Sequence, residues 1–313
     1  MNTKNFLKTL NEDLRSLDML LETDVEERYL NIFVLGLPRS GTTLITQVIF
    51  SSLNVMCTNH LIARFWKAPL VGAFLSKLVF GSLKETLFSS TYAKTSFPWE
   101  PHEFSWFWHD IMNISVLDQK PIKIDINKID WNKVRRKICN LNQILESNLV
   151  HKPLELVGYH LEHFSSMFEK AVFVYIERDQ LDVAYSLAEA RLNHFNDLNV
   201  WWSSYPPASQ FMKIRNSPYN VQIAGQVKFL ADMYEQKISH LQENQLVRIS
   251  YKALCDDPVS LLNELVNKAN RLGCNLRVLD IPGKFEVARK ERDAELLKDL
   301  IDGFDEIGGI SYE

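Results

Sequence analysis

Cysteine is scarce in this chain. Cys57, Cys139, Cys255 and Cys274 are the only four in 313 residues, widely spaced and without a CxxC pair, so a disulfide scaffold, a cysteine zinc site and dithiol chemistry are not expected. Glycine and proline number 11 each and lie scattered, which excludes repetitive or low-complexity sequence and leaves no linker between two apparent domains. An excess of either charge is also missing: 35 Lys and Arg face 39 Asp and Glu, a net charge of −4, so no general basic field exists to hold nucleic acid or an anionic membrane. Any anion must be gripped locally.

No hydrophobic run reaches the length of a membrane span. Ala68 to Phe88 comes nearest but is broken by Lys77, Gly81, Lys84 and Glu85; it reads as a helical layer over a core or cleft, or as a surface touching membrane or another subunit. The first residues, MNTKNFLKTLNEDLRSLDMLLETDVEERY, hold too many acids for a signal peptide and predict an amphipathic helix with Phe6, Leu7, Leu10, Leu14, Leu17 and Leu21 on one side. With so few cysteines, a cytoplasmic protein is expected.

What is present is ample core material, 46% hydrophobic against 24% charged residues. We expect one domain over 1–313, made of a helical extension at 1–28, core motifs at 31–265 and a carboxyl-terminal segment at 266–313. Tyr29 to Leu37 is a short apolar, β-branched run ended by Gly and Pro, and Thr42 to Ser52 continues as a helix. The pattern recurs at Ala171 to Ile176, followed by Asp179 as N-cap and a helix over Leu181 to Leu192. A third instance is Leu246 to Tyr251, with Asp257 capping a helix that has Pro258 at its first position and Gly273 past its end. Strands alternating with helices predict an α/β fold, a parallel sheet covered on both faces. Trp131 to Asn148 reads as helical, while the aromatic segments Phe97 to Trp108 and Trp201 to Tyr205 read as walls of a cleft.

Ligands of open parallel sheets bind at the carboxyl ends of strands, so the residues after each strand come first. Gly36-Leu37-Pro38-Arg39-Ser40-Gly41-Thr42-Thr43 stands between strand and helix, with two glycines at the spacing of a phosphate-cradling loop. Backbone N–H groups and the helix dipole favour an anion there. The lysine of a nucleotide triphosphatase is replaced by Thr42, while Arg39 places a permanent cation inside the loop. The stretch LPRSGTTL resembles the 5′-phosphosulfate loop of sulfotransferases that use 3′-phosphoadenosine 5′-phosphosulfate (PAPS). Its arginine form is similar to the branch that includes protein-tyrosine sulfotransferases and many bacterial enzymes.

Two further segments carry the same resemblance. FVYIERDQLDVAYSLAEAR is similar to the family's 3′-phosphate segment, with Arg178 and Ser186 in the matching places. VRISYKALCDDP resembles the late strand and turn in which a tyrosine lies beside the nucleotide, here Tyr251. In cytosolic members a basic, glycine-containing loop near the carboxyl end completes the nucleotide site; Arg289-Lys290, followed by Glu291, stand in that region. The resemblance implies a P-loop NTPase-like central parallel sheet flanked by helices, with helical insertions forming the acceptor cleft. It also implies PAPS as donor, 3′-phosphoadenosine 5′-phosphate (PAP) as product, no metal, and an acceptor hydroxyl on a small molecule, sugar, lipid alcohol or tyrosyl peptide. Pro38, Arg39, Ser40, Gly41, Thr42, Thr43, Arg178, Ser186 and Tyr251 would hold the donor.

The acceptor hydroxyl needs a general base within hydrogen-bond reach. His102 and Glu103, in PWEPHEF, lie among prolines and aromatics suited to an irregular cleft wall. His60 is the rival, placed after the second strand at a spacing from Thr43 similar to that of the glutamate base in protein-tyrosine sulfotransferases. Phe97, Trp99, Phe104, Trp106, Phe107 and Trp108 form either an apolar acceptor wall or part of the core. Two other functions stay open: a P-loop small-molecule or nucleoside kinase using ATP and magnesium, and a non-catalytic homologue that binds PAP or PAPS.

Overall fold

The computed structural model describes residues 2–89, 95–114, 126–153, 155–287 and 292–308. Helix α1 (Thr3–Leu20) leads into strand β1 (Asn31–Gly36), helix α2 (Thr42–Ser52) and the short β2 (Val55–Cys57). Four helices follow, α3 (His60–Ala63), α4 (Pro69–Phe80), α5 (Ser105–Ile111) and α6 (Trp131–Leu145), before β3 (Asn148–His151). The chain continues through α7 (Glu155–Tyr159), α8 (Leu161–Met167), β4 (Ala171–Glu177), α9 (Gln180–Phe195), α10 (Ala208–Ile214) and α11 (Tyr219–Ile238). Strand β5 (Leu246–Ser250) and helices α12 (Tyr251–Asp256), α13 (Pro258–Arg271) and α14 (Ala294–Ile307) complete the described strands and α-helices, with one 3-10 turn at Ile126–Lys128 before α6.

The five strands form one parallel sheet in the order β2-β3-β1-β4-β5. Strand β1 is central, pairing Phe33 with both His151 and Phe173. Its alternate residues serve two cores: Phe33 and Leu35 pack on one face, Ile32 and Val34 on the other, and all four are buried. Burial on both faces is why the run is apolar without alternation. Because every strand points the same way, all five carboxyl ends lie along one edge of the sheet, and β1 sits where the connections diverge to left and right.

The α/β expectation holds, with local corrections. The helix expected to reach Asn148 ends at Leu145, where Glu146 turns left-handed at φ 50°, and Asn148–His151 becomes the unforeseen β3. Strand β5 stops at Ser250, whose Oγ accepts the Ala253 N–H at 3.1 Å and starts α12 on Tyr251. Phe104, Phe107 and Trp108 lie in the core rather than on a cleft wall.

Helix α1 docks through polar groups. Its buried residues are Asn11 and Asp18, whereas Phe6, Leu17 and Leu21 of the apolar stripe are exposed. The reason is local: α4 has no side-chain cap of its own, and Asp18 Oδ1 accepts the N–H groups of Leu70 at 2.6 Å and Val71 at 3.1 Å. The Lys137 ammonium neutralises the same carboxylate at 2.8 Å. Helix α4 supplies the first part of the helical layer expected over 68–88; residues 81–88 are not helical, because Gly81 ends the helix at φ 57°, and among the described residues no helix is long and apolar enough to cross a membrane.

Candidate active site

The loop after β1 is shaped by two glycines. A Cβ on Gly36 would stand 2.9 Å from the Ile176 carbonyl, and one on Gly41 would stand 2.5 Å from the Tyr251 ring, at a φ of 106° that favours glycine. Between them, Ser40 closes the turn through its N–H (3.1 Å) and Oγ (2.8 Å), both donating to the Leu37 carbonyl. Arg39 adopts φ 70°. Gly41 is the N-cap of α2 and supplies no side-chain cap, so the first-turn N–H groups, which have no intrahelical acceptors, face outward at the positive end of the helix.

Strand β4, hydrogen-bonded to β1, delivers the second cation. Arg178 Nη1 donates to the Arg39 carbonyl at 3.0 Å, and Arg39 Nε donates to Ser186 Oγ at 3.0 Å. The Arg178 guanidinium also lies over the Tyr251 ring, 4.6 Å from its centroid. Burial raises the Tyr251 phenol pKa above its ordinary range. Four residues from four segments thus form one cluster around the start of α2. Arg178 Nε is buried without a hydrogen-bond partner and stands 3.8 Å from Asp182 Oδ2, leaving a directed cationic donor at the site. An uncapped helix start and an unfilled guanidinium donor fit a ligand with two anionic ends. Arg289, Lys290 and Glu291 lie outside the described residues.

Strand β3 contributes a residue that the sequence reading missed. Lys152 follows the strand directly, is 4% exposed, and donates to Thr43 Oγ1 at 2.7 Å and Glu103 Oε1 at 2.9 Å. A short apolar run, Asn148 to His151, ended by Lys152-Pro153, was the available signal. It was hidden by the preceding helical pattern.

The segment before α5 is anchored by Glu100, whose side chain is fully buried. Gln47 of α2 donates to Oε1 at 2.9 Å, Thr86 Oγ1 donates to the same atom, and the N–H groups of Ser96 and Phe97 each donate to Oε2 at 2.8 Å. The His102 N–H then donates to the Thr58 carbonyl at 2.8 Å, tying the segment to the end of β2. The three base candidates therefore gather at one corner. His60 opens α3, with Nε2 2.7 Å from Thr95 Oγ1 and its ring 4.9 Å from that of His102. Burial lowers its pKa, and lowers that of His102 to about 4, where the neighbouring His60 adds to the effect. Only Glu103 is joined to the loop, through Lys152.

Of the remaining candidate wall residues, Phe97 and Trp99 stack at 4.7 Å, and Trp106 packs against Trp66 at 6.0 Å. The aromatic segment at 201–205 is held from behind by Arg191, which is fully buried. Its Nη1 donates to the Leu198 carbonyl at 2.8 Å and its Nη2 to Gln226 Oε1 at 3.0 Å; Gln226 Nε2 donates in turn to the carbonyls of Trp202 and Ser204. Burial lowers the Arg191 pKa to about 10.

No curated protein matches the chain. Among solved structures, the chain is similar to the sulfotransferase STF1 from Mycobacterium tuberculosis H37Rv, with 14% identity, 84% of this chain and 72% of that chain covered, and a TM-score of 0.50. The sulfotransferase STF9 from Mycobacterium avium matches at 14% identity over 97% of this chain and 73% of that one, with a TM-score of 0.46. A sulfotransferase from Alicyclobacillus acidocaldarius matches at 11% identity over 88% of this chain and 92% of that one, with a TM-score of 0.47. A model of the sulfotransferase family matches residues 31–271, from the first residue of β1 to the last of α13. By that match the chain belongs to the sulfotransferase family.

Proposed function

We propose that this chain transfers a sulfuryl group from PAPS to an acceptor hydroxyl. The observation that carries the reading is the cluster of Arg39, Arg178, Ser186 and Tyr251 around the uncapped start of α2. In this reading the loop from Pro38 to Thr43 receives the 5′-phosphosulfate, Arg178 and Ser186 the 3′-phosphate, and Tyr251 lies beside the nucleotide. Charge-assisted bonds to phosphate contribute about 1.5–3 kcal/mol each, enough to make the 3′-phosphate decisive for affinity.

In the reaction, the acceptor oxygen forms a bond to sulfur as the bond from sulfur to the phosphate oxygen breaks. The departing oxygen gains negative charge. Arg39, the loop N–H groups and Lys152 are cations and dipoles fixed beforehand near the α2 start, where such charge is stabilised without reorganisation. The acceptor proton passes to the Glu103 carboxylate, the one base candidate linked to the loop.

Calorimetry with PAP and with 5′-AMP tests the donor half. PAP should bind at least about tenfold tighter than 5′-AMP, and Arg178→Ala should erase most of that difference. Mass spectrometry of a hydroxyl-compound library incubated with PAPS tests the transfer, reading the gain of one SO3 per acceptor. Equal affinity for the two nucleotides would overturn the donor assignment, and magnesium-dependent ATP turnover would favour a kinase. Tight PAP binding with no sulfated product would favour a non-catalytic homologue.

A further inference from the structure

The Phe104 N–H donates to His102 Nδ1 at 2.9 Å. A nitrogen that accepts a backbone N–H cannot itself hold a proton, so the neutral ring is fixed with its hydrogen on Nε2. The contact is built into the chain: the His102 N–H is tied to the Thr58 carbonyl at 2.8 Å, and the ring accepts the N–H of the residue two positions later. The Nε2 atom, by contrast, makes no hydrogen bond among the described residues, and His102 is half-buried rather than enclosed. Around the ring stand His60, 4.9 Å away by centroids, together with the charges of Glu103, Lys152 and Arg64.

We propose that His102 serves this site as a hydrogen-bond donor, its Nε2–H holding the acceptor hydroxyl oxygen so that the hydroxyl proton points at Glu103. The inference rests on the sulfuryl-transfer reading above. An sp3 hydroxyl oxygen has one proton and two lone pairs. With the proton directed to the Glu103 carboxylate and one lone pair receiving the His102 Nε2–H, the second lone pair is left for sulfur. The oxygen–sulfur bond forms from that pair, the sulfur–phosphate oxygen bond breaks with its electrons leaving on the nucleotide, and the proton ends on Glu103. His102 keeps its own proton throughout. Burial holds the ring's pKa at about 4, so it is neutral at working pH. Its one basic lone pair is already occupied by the Phe104 N–H.

A base and a donor leave different marks. His102→Ala should lower kcat about 10²-fold with PAP affinity unchanged, and His102→Gln, which restores an N–H near the Nε2 position, should recover most of that loss. The acid limb of the kcat–pH profile should be the same in wild type and His102→Gln. If His102→Gln is as impaired as His102→Ala, or if its acid limb is lost, the donor role is overturned. An assay-independent reading comes from the protein labelled with 15N-histidine. Its NMR spectrum, from about pH 5.5 to about pH 8, should show His102 with Nε2 protonated and Nδ1 bare throughout. Protonation at Nδ1 or at both nitrogens in that range would sink the proposal even with sulfuryl transfer established. A correct tautomer together with no transfer from PAPS would reject the functional reading instead.

Discussion

Lys152 Nζ donates to Glu103 Oε1 across 2.9 Å and to Thr43 Oγ1 across 2.7 Å, so one buried ammonium spans the gap between the loop helix and the acidic corner of the site. Replacing Lys152 by Met keeps the apolar stem and removes the charge. We expect kcat to fall about 10²- to 10³-fold, the scale of losing one preorganised stabiliser of developing charge. PAP affinity should change far less, because Arg39 and Arg178 remain. Steady-state kinetics alongside calorimetry separates the two, and a variant that loses PAP binding but keeps its turnover at saturation would contradict this role.

Gly41→Ala tests the loop itself. The new methyl would sit 2.5 Å from Tyr251 Cδ2 and force a non-glycine residue to φ 106°. Relief requires Tyr251 to swing away, breaking its stack on Arg178. The expected result is a loss of about 1–3 kcal/mol in stability with a PAP affinity at least about tenfold weaker, read by thermal melting and calorimetry. Gly283→Ala is the control, since a Cβ there meets no atom within 4 Å and its backbone does not lie at positive φ.

Acid should weaken the fold through buried histidines. Burial holds His102 and His160 at about 4 and His151 at about 3, all below the unfolded value of about 6.5. Between those values the unfolded chain binds more protons than the folded one, so stability is full above about pH 6.5 and declines as pH falls towards 4. Each ring adds a slope of up to about 1.4 kcal/mol per pH unit within that window. Urea midpoints between about pH 8 and about pH 5 measure the slope. His160, whose two ring nitrogens are buried without hydrogen-bond partners, gives the clean test: His160→Phe should remove one ring's share.

Arg191→Met should cost about 2–4 kcal/mol, because it leaves the Leu198 carbonyl and Gln226 Oε1 without their donor in a buried setting. The loss should centre on the 198–204 loop, where Gln226 also holds the Trp202 and Ser204 carbonyls. Limited proteolysis cutting first within that loop is the expected sign. Equal protection of the loop in the variant and wild type would refute it.

The loop after β1 was legible in the sequence because its signal is local. Gly36, Arg39, Gly41 and Thr43 fall within one turn, and strand β1 declares itself by an unbroken apolar run. Arg178 and Ser186 were readable only through resemblance, since they meet by way of Arg39 rather than each other. Lys152 was not legible, because β3 is four residues long and is framed by Asn148 and His151, too brief to show a period. The wall aromatics were ambiguous for another reason. Sequence gives their apolar character, but the facing direction of Phe104, Phe107 and Trp108 is decided by which core they meet.

Helix α2 carries Thr43 in its first turn and Gln47 one turn later; the first takes Lys152, the second grips Glu100. The loop and the segment anchored by Glu100 are thus spaced along a single rod, at about 1.5 Å per residue. A side chain at either end can be exchanged for a longer or shorter one, but the ruler beneath them is stiff. Under the proposed transfer, room for a bulkier alcohol has to come from the outlying loops, because α2 fixes the distance between its two anchoring points.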